Sequence, residues 1–433
     1  MRPAAGLALA LLWGILTNGA GNAADWAVVP SVTARSEFNS NLNYDFVAPK
    51  RDYIFTLAPT AEFNYTTDLG QLQGRLGLTG LHYLSNSQID HIDQNFQING
   101  RYQVAPRCSF SLNTAYISDS SLQEEFLTSG LIMTRTPRQS IQAGPAVTYA
   151  LTERLAATVN YNFNKVNYQA QQLQNFYSQQ AGLRLEQQLK NEKTVLIGNF
   201  LAQESQYPAQ DNVFRSLGFQ LGGTHNFSPD WVVNLLGGIN ISFMEFQTQV
   251  QDQAQSPFFV SVRQVAKVQQ TKTSPFVNLS LTRRWTQFSI TGGYSRSQNA
   301  SAQGSVSDNS QVFLTLSYNF TERLSGSLNV NYALANQISN INTQQSDYFN
   351  VGPQLSYKLT EELALSPGYS FGLRDDITGG QSAKAQTVFL MMTYTRLSVG
   401  SEKKPPTPVG SQPATLSGRE RPAAMGRSPF QLY

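Results

Sequence analysis

The nine residues Leu155–Phe163, which read LAATVNYNF, decide the fold of this 433-residue chain. Their odd-numbered positions hold Leu, Ala, Val, Tyr and Phe, and their even-numbered positions hold Ala, Thr, Asn and Asn. Successive side chains of a β-strand point to opposite sides, so the stretch predicts a strand with one apolar and one polar face. Leu324–Tyr332, which reads LSGSLNVNY, repeats the pattern. Long strands of this kind, with aromatic residues near their ends, are typical of a transmembrane β-barrel with lipid outside and water inside.

Short turns punctuate the chain about every 42 residues, and longer polar segments separate them. The alternation predicts an all-β, antiparallel up-and-down barrel with short periplasmic turns and longer extracellular loops. The eight turns are Thr67–Gly70, Ala105–Cys108, Leu151–Arg154, Lys190–Lys193, Phe227–Asp230, Arg283–Thr286, Phe320–Arg323 and Leu359–Glu362. Eighteen strands are predicted to start near residues 26, 53, 71, 94, 108, 139, 154, 175, 193, 212, 230, 273, 286, 310, 323, 347, 362 and 384.

Two alternatives to eighteen strands stay open on the sequence alone. Alternation is weakest near residues 193–203, where Val195 and Ile197 compete with Leu196 and Phe200 for the lipid side, so sixteen strands also fit. A period of about 42 residues also fits a propeller blade of four strands. Each unit holds only two alternating runs and Trp-Asp does not recur, so the barrel is favoured over the propeller.

The chain is predicted to have three parts. Residues 1–23 have a positive start, an apolar run and a small-residue end, which is typical of a secretory signal peptide. Residues 24–399 form the barrel, and a mean hydropathy of −0.30 suits it because only alternate residues face lipid. Residues 400–433, rich in Pro and basic residues, predict a disordered periplasmic tail. Together these parts indicate the outer membrane of a Gram-negative-type bacterium, with outer-membrane lipid as the surroundings.

Composition argues against several classes of protein. The formal net charge is +3, and much of the basic excess lies in the tail, so the barrel offers no basic surface for nucleic acid. Cys108 is the single cysteine, which excludes an intrachain disulfide and a cysteine-based metal or haem site. We therefore predict no cofactor, no metal and no nucleic-acid partner.

Three histidines, His82, His91 and His225, are the main candidates for catalytic chemistry. The segment around His82 and Ser85 resembles the His-x-Ser-Asn element of outer-membrane lipid A deacylases and phospholipases. Its spacing is three residues rather than two, so the two side chains face opposite ways unless a bulge intervenes. No Ser-His-Asp set or carboxylate pair stands out, and we predict that the protein is not an enzyme.

The inward-facing positions predict a lining of amides and hydroxyls with a few charges. Such a lining suits a hydrated, uncharged or weakly charged solute such as a sugar chain, although any water-filled barrel needs a polar interior. The arginines could favour anions, and Glu37 and Glu186 partly offset them. The candidates for the lining are Arg35, Glu37, Arg75, Arg101, Arg184, Glu186, Asn329, Asn331 and Arg374.

Prolines and two long loops mark places where the barrel could depart from regularity. Six prolines lie within predicted strands on the lipid-facing side, and each predicts a bulge or a local break in pairing. They are Pro30, Pro59, Pro145, Pro275, Pro353 and Pro367. The long loops are Ser118–Arg138 and Gln247–Lys272, and either could fold inward to narrow a pore or lie outside as surface cover.

Two phrases of the sequence carry a resemblance to a known family. Residues 144–155 read GPAVTYALTERL, residues 352–363 read GPQLSYKLTEEL, and the opening at residues 32–41 reads VTARSEFNSN. With these motifs, residues 26–397 resemble the beta-barrel porin-2 family. The resemblance implies an outer-membrane barrel of the kind encoded with exopolysaccharide and exosortase systems. The basic, Pro-rich tail departs from a simple self-contained pore.

Four functional hypotheses follow from these observations. The first is a channel that assists export of exopolysaccharide, with a periplasmic export partner bound through the tail. The second is a general or sugar-selective diffusion porin, with a polysaccharide or sugar as solute. The third is a non-conducting structural or assembly barrel. The fourth, an outer-membrane hydrolase, depends on His82 alone.

Overall fold

Eighteen long antiparallel strands build the protein, and the alternating pattern of the sequence forms them. The computed structural model describes residues 25–120, 135–170, 173–251, 263–338, 343–396 and 399–400. The strands are β1 Asp25–Asn39, β2 Asp52–Thr66, β3 Gly70–Tyr83, β4 His91–Ala105, β5 Cys108–Asp119, β6 Arg138–Ala150, β7 Leu155–Tyr168, β8 Phe176–Gln188, β9 Thr194–Tyr207, β10 Asn212–Ser228, β11 Trp231–Gln251, β12 Arg263–Arg284, β13 Phe288–Ala300, β14 Val306–Asn319, β15 Leu324–Ile338, β16 Thr343–Lys358, β17 Leu363–Asp376 and β18 Gln381–Thr395. A two-residue strand, β19 Val399–Gly400, and one turn of 3-10 helix, Ser87–Ile89, complete the described elements.

The sheet closes on itself. Each strand pairs with its sequence neighbours, and β1 pairs with both β2 and β18. The closing ladder runs from Ser31 opposite Thr395 to Asn39 opposite Thr387. The weakly alternating segment forms a full strand, β9, paired on both sides. The prediction of eighteen strands is therefore confirmed over sixteen, and the propeller is excluded.

The prediction of a long loop at Gln247–Lys272 is largely wrong. The sequence predicts that the twelfth strand starts near 273, but β12 starts at Arg263 and pairs with β11 up to Gln251. Residues 269–274 of β12 are all polar, so alternation is lost there while backbone pairing with β11 persists. The other predicted long loop, Ser118–Arg138, lies mostly outside the described residues, and the strands that flank it end at Asp119 and begin at Arg138.

The outer wall of the cylinder is apolar. Along β7, Val159 and Tyr161 are exposed, whereas the polar residues between them face the other way. The same parity holds on β10, where Leu217 and Leu221 are exposed. In hydrocarbon every backbone polar group must be paired internally, and a closed barrel with an apolar exterior meets that requirement. The chain is an outer-membrane β-barrel. Among the described residues, no helix is long and apolar enough to span a bilayer.

The two ends of the barrel differ. At one end, which we call the turn end, all eight predicted turns join consecutive strands within a few residues. Aromatic residues encircle part of this end: Trp285 contacts Phe288, Tyr318 contacts Phe320, and the guanidinium of Arg283 lies over Trp285. Such girdles mark the interface between membrane and water. The opposite end, here the loop end, carries the longer connections.

Each of the six prolines marks a break in one of its two ladders. Pro59, for example, pairs with Val32 on β1, but the β2–β3 ladder skips from Leu57 to Thr60. The ladders skip in the same way beside Pro145 and Pro353. The register is the same on both sides of these gaps, so they are local breaks without an inserted residue. Proline causes them because it has no N–H to donate.

Candidate functional site

The inner wall is a continuous polar surface built by cross-strand pairs. Hydroxyl groups meet across neighbouring strands, as in Thr148 with Thr158 at 2.8 Å and Thr33 with Thr393 at 3.2 Å. Amides join them: the Asn350 Nδ2 donates to Ser370 Oγ at 2.9 Å. Because directly opposed residues of an antiparallel pair share a face, these contacts line the same side of the sheet.

Most of the predicted lining arginines lie beside a carboxylate. Arg35 forms an ion pair with Glu37 at 2.5 Å, and Arg184 pairs with Glu186 at 2.7 Å. Arg75 lies 3.9 Å from Glu62, which the sequence analysis did not single out. These pairs cancel charge locally, so the wall that they share with amides and hydroxyls has little net charge. The inner face is therefore better suited to a neutral hydrated solute than to a strongly charged one.

The other lining candidates lie at different heights along the wall. Arg101 is exposed near the turn end of β4. Asn329 accepts a hydrogen bond from the Thr315 hydroxyl at 3.1 Å, and Asn331 lies opposite Asn350 in the β15–β16 ladder. Arg374 is different, because it is only 2% exposed at the loop end. Their role in lining a conducting pore stays a prediction.

The loop between β1 and β2, residues 40–51, folds inward at the loop end. Leu42 is 2% exposed and packs with Ile54 and Tyr83 of the inner wall. The Tyr44 hydroxyl lies 3.1 Å from the Tyr348 hydroxyl on β16. Burial of Tyr44 in this loop raises the pKa of its phenol above the ordinary value. The loop thus reaches from β1 to an inner-wall residue on the far side of the β1–β18 closure.

Phe46 of the same loop explains the burial of Arg374. The Arg374 guanidinium lies 4.7 Å from the centre of the Phe46 ring. Its charge also interacts with the carboxylates of Asp376 and Asp45, and Asp45 belongs to the inward loop. Arg374 is therefore part of the contact that holds the loop rather than an open position on the wall.

The tip of the β13–β14 hairpin, residues 297–310, is a second inward segment and the more deeply buried one. Ser301, Ala302, Val306 and Ser307 are each at most 1% exposed. Such burial is unusual for a loop, because most loops run over the surface. The tip forms part of a cluster with Tyr207 and other inward side chains of the facing wall.

Three hydrogen bonds join the tip to residues of β9, β10 and the β7–β8 connection, which are not its sequence neighbours. The Tyr207 hydroxyl donates to the Ser305 carbonyl at 2.7 Å, and the Gln174 amide donates to the Ala302 carbonyl at 2.6 Å. The Asn212 side chain donates to the Gly304 carbonyl at 3.2 Å. Gly304 has a φ of +78°, which suits glycine. The tip therefore crosses the mouth of the barrel to the β7–β8 and β9–β10 connections.

The wall opens between β12 and β13 to let the tip enter. Their ladder ends at Val277 opposite Arg296, although β12 itself continues to Arg263. Pro275 lies just beyond the last pair and cannot donate to a neighbouring strand. Above this point the β13–β14 tip passes behind β11 and β12, so its outward face meets their inward face.

Polar side chains hold the tip against the inner face of β11 and β12. The Lys272 ammonium lies 2.6 Å from the Asp308 carboxylate, and Asp308 is almost fully buried. The Gln298 amide donates to Ser274 Oγ at 2.7 Å. Val306 adds a small apolar contact with Phe214 and Met244. Towards β11 and β12 the segment is held by side chains that water can replace, whereas the β14–β15 backbone ladder pairs its residues Val306–Ser310 with Leu334–Ile338.

The histidines do not form a recognisable catalytic set among the described residues. His82 Nδ1 lies 2.6 Å from the Asp90 carboxylate, and the backbone amide of Ser85 donates to the Asp52 carboxylate. The Tyr83 backbone amide and His82 lower the pKa of the Asp90 carboxyl. The described residues also contain no cluster of His, Cys, Asp and Glu that could hold a metal.

A contact between Ser120 and His91 was not found from the sequence. Ser120 Oγ lies 2.6 Å from His91 Nε2, and the Nδ1 atom bonds to the Ile89 carbonyl. Asp93 approaches the same Nε2 atom as the serine, at 3.2 Å. In a catalytic triad the carboxylate binds the other ring nitrogen, so this arrangement lacks the orienting carboxylate.

Comparisons with known proteins add distant structural matches. No protein-family model matches the sequence, and no curated protein matches it. OccK1 (OpdK) of Pseudomonas aeruginosa is similar at a TM-score of 0.45 and 13% identity, covering 86% of this chain and 99% of that one. OccAB3 of Acinetobacter baumannii has a TM-score of 0.42 and 12% identity, with 86% and 99% covered. The ferric-catecholate import receptor Fiu of E. coli K12 has a TM-score of 0.44 and 8% identity, with 84% and 81% covered. Matches at this level carry no argument about the function of this chain.

Proposed function

We propose that the protein is an outer-membrane channel whose loop-end mouth is closed by two inward segments in the conformation described here. The observation that carries the proposal is the contrast between wall and closure. Backbone ladders hold the wall on both sides of each strand, whereas the tip has a backbone ladder only to β15 and side-chain contacts such as that of Lys272 with Asp308 towards β11 and β12. Barrels of 16 to 18 strands are wide enough to leave an aqueous channel.

We propose further that the channel assists export of exopolysaccharide. The neutral lining of amides, hydroxyls and paired charges supports this, because a sugar chain is hydrated and makes hydrogen bonds without requiring countercharge. The resemblance of residues 26–397 to the beta-barrel porin-2 family favours the same solute. The predicted tail beyond Gly400 would bind a periplasmic export partner.

A general or sugar-selective diffusion porin is the second candidate, and the same neutral lining favours it. A deletion strain separates the two candidates. Export predicts loss of surface polysaccharide with normal uptake of small sugars. A diffusion porin predicts slower uptake of small sugars with normal surface polysaccharide. If neither phenotype changes and a purified barrel with a shortened β13–β14 hairpin does not conduct either, the proposal fails in favour of a structural barrel.

A further inference from the structure

An apolar groove lies on the membrane-facing side of the wall, between β2, β3 and β4 near the loop end. Its volume is about 490 Å³, which is within the range of small-molecule sites, roughly 300–1,000 Å³. The lining residues are Phe55, Thr56, Leu57, Gly80, Leu81, His82, Asp90, His91 and Ile92. None of these residues belongs to the two inward segments, so the groove is separate from the mouth.

The strand registers show why the groove exists. Leu57, Gly80 and Ile92 lie side by side on three neighbouring strands and face outward together. Leu57 is 57% exposed and Ile92 is 65% exposed, so they form two apolar walls. Glycine supplies no side chain between them, and a Cβ added there would meet nothing closer than the Leu57 carbonyl at 3.9 Å. The backbone of Gly80 therefore forms the floor of the groove, because glycine has no side chain to fill the space.

A row made of Phe55, His82 and Asp90 closes the groove towards the loop end. Phe55 and His82 form the next cross-strand pair, and Asp90 bonds to His82 at 2.6 Å. Gly80 is ten residues along β3 from Gly70. With a rise of about 3.3 Å per residue and a tilt of about 40°, it lies roughly 25 Å above the turn end, the height of the apolar band. The groove thus spans the upper edge of the hydrocarbon, and His82 and Asp90 lie at headgroup level.

We infer that this groove binds an acyl chain of lipopolysaccharide in the outer leaflet. The apolar floor and walls fit a chain, and the position on the lipid-facing side at the loop end exposes them to that leaflet. Lipopolysaccharide carries its chains on a sugar with amide and hydroxyl groups. The His82 imidazole, whose Nδ1 contacts Asp90, and the Asp90 carboxylate can hydrogen-bond to such groups. A bound chain would fix the β2–β4 side of the barrel in the membrane.

Native mass spectrometry of the folded protein in detergent micelles tests the inference. The probes are Kdo2-lipid A and, in a parallel arm, dioleoylphosphatidylethanolamine. The wild type is expected to retain one Kdo2-lipid A in preference to the phospholipid. Gly80→Leu fills the groove and is expected to weaken that retention roughly tenfold or more. Gly198→Leu is the matched control, because Gly198 also lies opposite an exposed leucine, Leu221, on a neighbouring strand. A Cβ at Gly198 would make only ordinary contact with Leu221, at 3.5 Å.

Two results would overturn the inference. One is equal retention of Kdo2-lipid A by the wild type and Gly80→Leu, and the other is equal retention of both lipids by the wild type. If Gly80→Leu does not fold, Ile92→Ala removes one wall of the groove and is expected to weaken retention in the same direction. Conductance should not change in either variant, so failure here leaves the proposed channel function standing.

Discussion

The turn half of the barrel and its loop end are built from the same strands, but different interactions hold them. In the turn half, ladders such as β14–β15 run without a gap from Asn319 upward. At the loop end, the β12–β13 ladder stops at Val277, so the tip of β13–β14 keeps a backbone ladder only to β15 and is held against β11 and β12 by side chains. Backbone ladders are cooperative and dry, whereas side-chain contacts at a water-filled mouth can exchange with solvent. The difference indicates a continuous wall and a closure that is anchored through β15 and can be released from β11 and β12.

The largest effect is expected where the wall requires a glycine. A Cβ on Gly238 would lie 2.1 Å from the Phe219 carbonyl oxygen, so Gly238→Val forces the β10–β11 backbone apart. Overpacking costs about 1–3 kcal/mol and more when the backbone must move. We expect no folded barrel, measured by heat-modifiable migration in gel electrophoresis. Gly237→Val is the control, since nothing lies within 4 Å of a Cβ there. Normal folding of Gly238→Val would show that the wall is looser than described.

The next effect concerns the closure. Lys272→Ala leaves the buried Asp308 carboxylate without its cation and should drive the tip out of the mouth. Lys272 is about one-third exposed, so its loss should destabilise the closed state by about 1–3 kcal/mol, which is less than the cost of breaking a fully buried ion pair. That corresponds to a rise of roughly 5- to 150-fold in the ratio of open to closed states. Single-channel recording in a planar bilayer measures the ratio.

The control for that experiment is an ion pair on the outer face. Arg215 contacts Glu204 at 2.8 Å and is 53% exposed, and it faces outward at the height of the loop end rather than into the mouth. Arg215→Ala should assemble normally and leave the open fraction unchanged. An equal rise in both variants would mean that the Lys272 effect reflects general destabilisation rather than release of the tip.

Alkaline pH should loosen the other inward segment. Burial raises the pKa of Tyr44, so its neutral form stabilises the closed loop at every pH below the ordinary tyrosine value of about 10. That contribution is lost as the pH rises through the higher pKa of the closed state. We expect a constant open fraction from about pH 6 to 9 and a rise above about pH 10. The rise of the open fraction at alkaline pH should be smaller in Tyr44→Phe. An unchanged rise would show that ionisation of Tyr44 does not open the loop.

The smallest effect on the barrel is expected from the tail. Residues 399–400 still pair with Ala27 and Val28 of β1, so truncation after Gly400 leaves the described strands intact. We expect normal assembly and conductance, measured by heat-modifiable migration and bilayer recording, with loss of a periplasmic partner in crosslinking. Failure to insert would show that residues 401–433 carry the assembly signal.

The wall could be predicted from the sequence because each strand alternates apolar and polar residues. Even β9, where Val195 and Leu196 compete, forms at the predicted place. The strand β12 was predicted too short, because residues 269–274 before Pro275 are all polar and show no alternation that would reveal their pairing with β11. The six prolines were predicted to interrupt pairing, and the ladders show breaks there.

The closed mouth could not be predicted, because burial there does not use large apolar residues. The tip reads SQNASAQGSVSDNS at residues 297–310, and small polar residues predict an exposed loop. Loop length instead drew attention to Ser118–Arg138 and Gln247–Lys272. One usable signal was present in residues 40–51, where Tyr44 and Phe46 are aromatic residues in a polar loop. A second was the low charge of the tip, in which Asp308 is the single ionisable residue.

Shortening the β13–β14 hairpin tests the central claim most directly. Ser297 and Asn309 are direct cross-strand partners, so an Asn-Gly turn can replace residues 298–308 without changing register. In planar bilayers the shortened barrel should carry a larger and steadier current than the wild type, which should be mostly closed. A shortened barrel that folds but conducts no more than the wild type would contradict a water-filled interior closed by this segment.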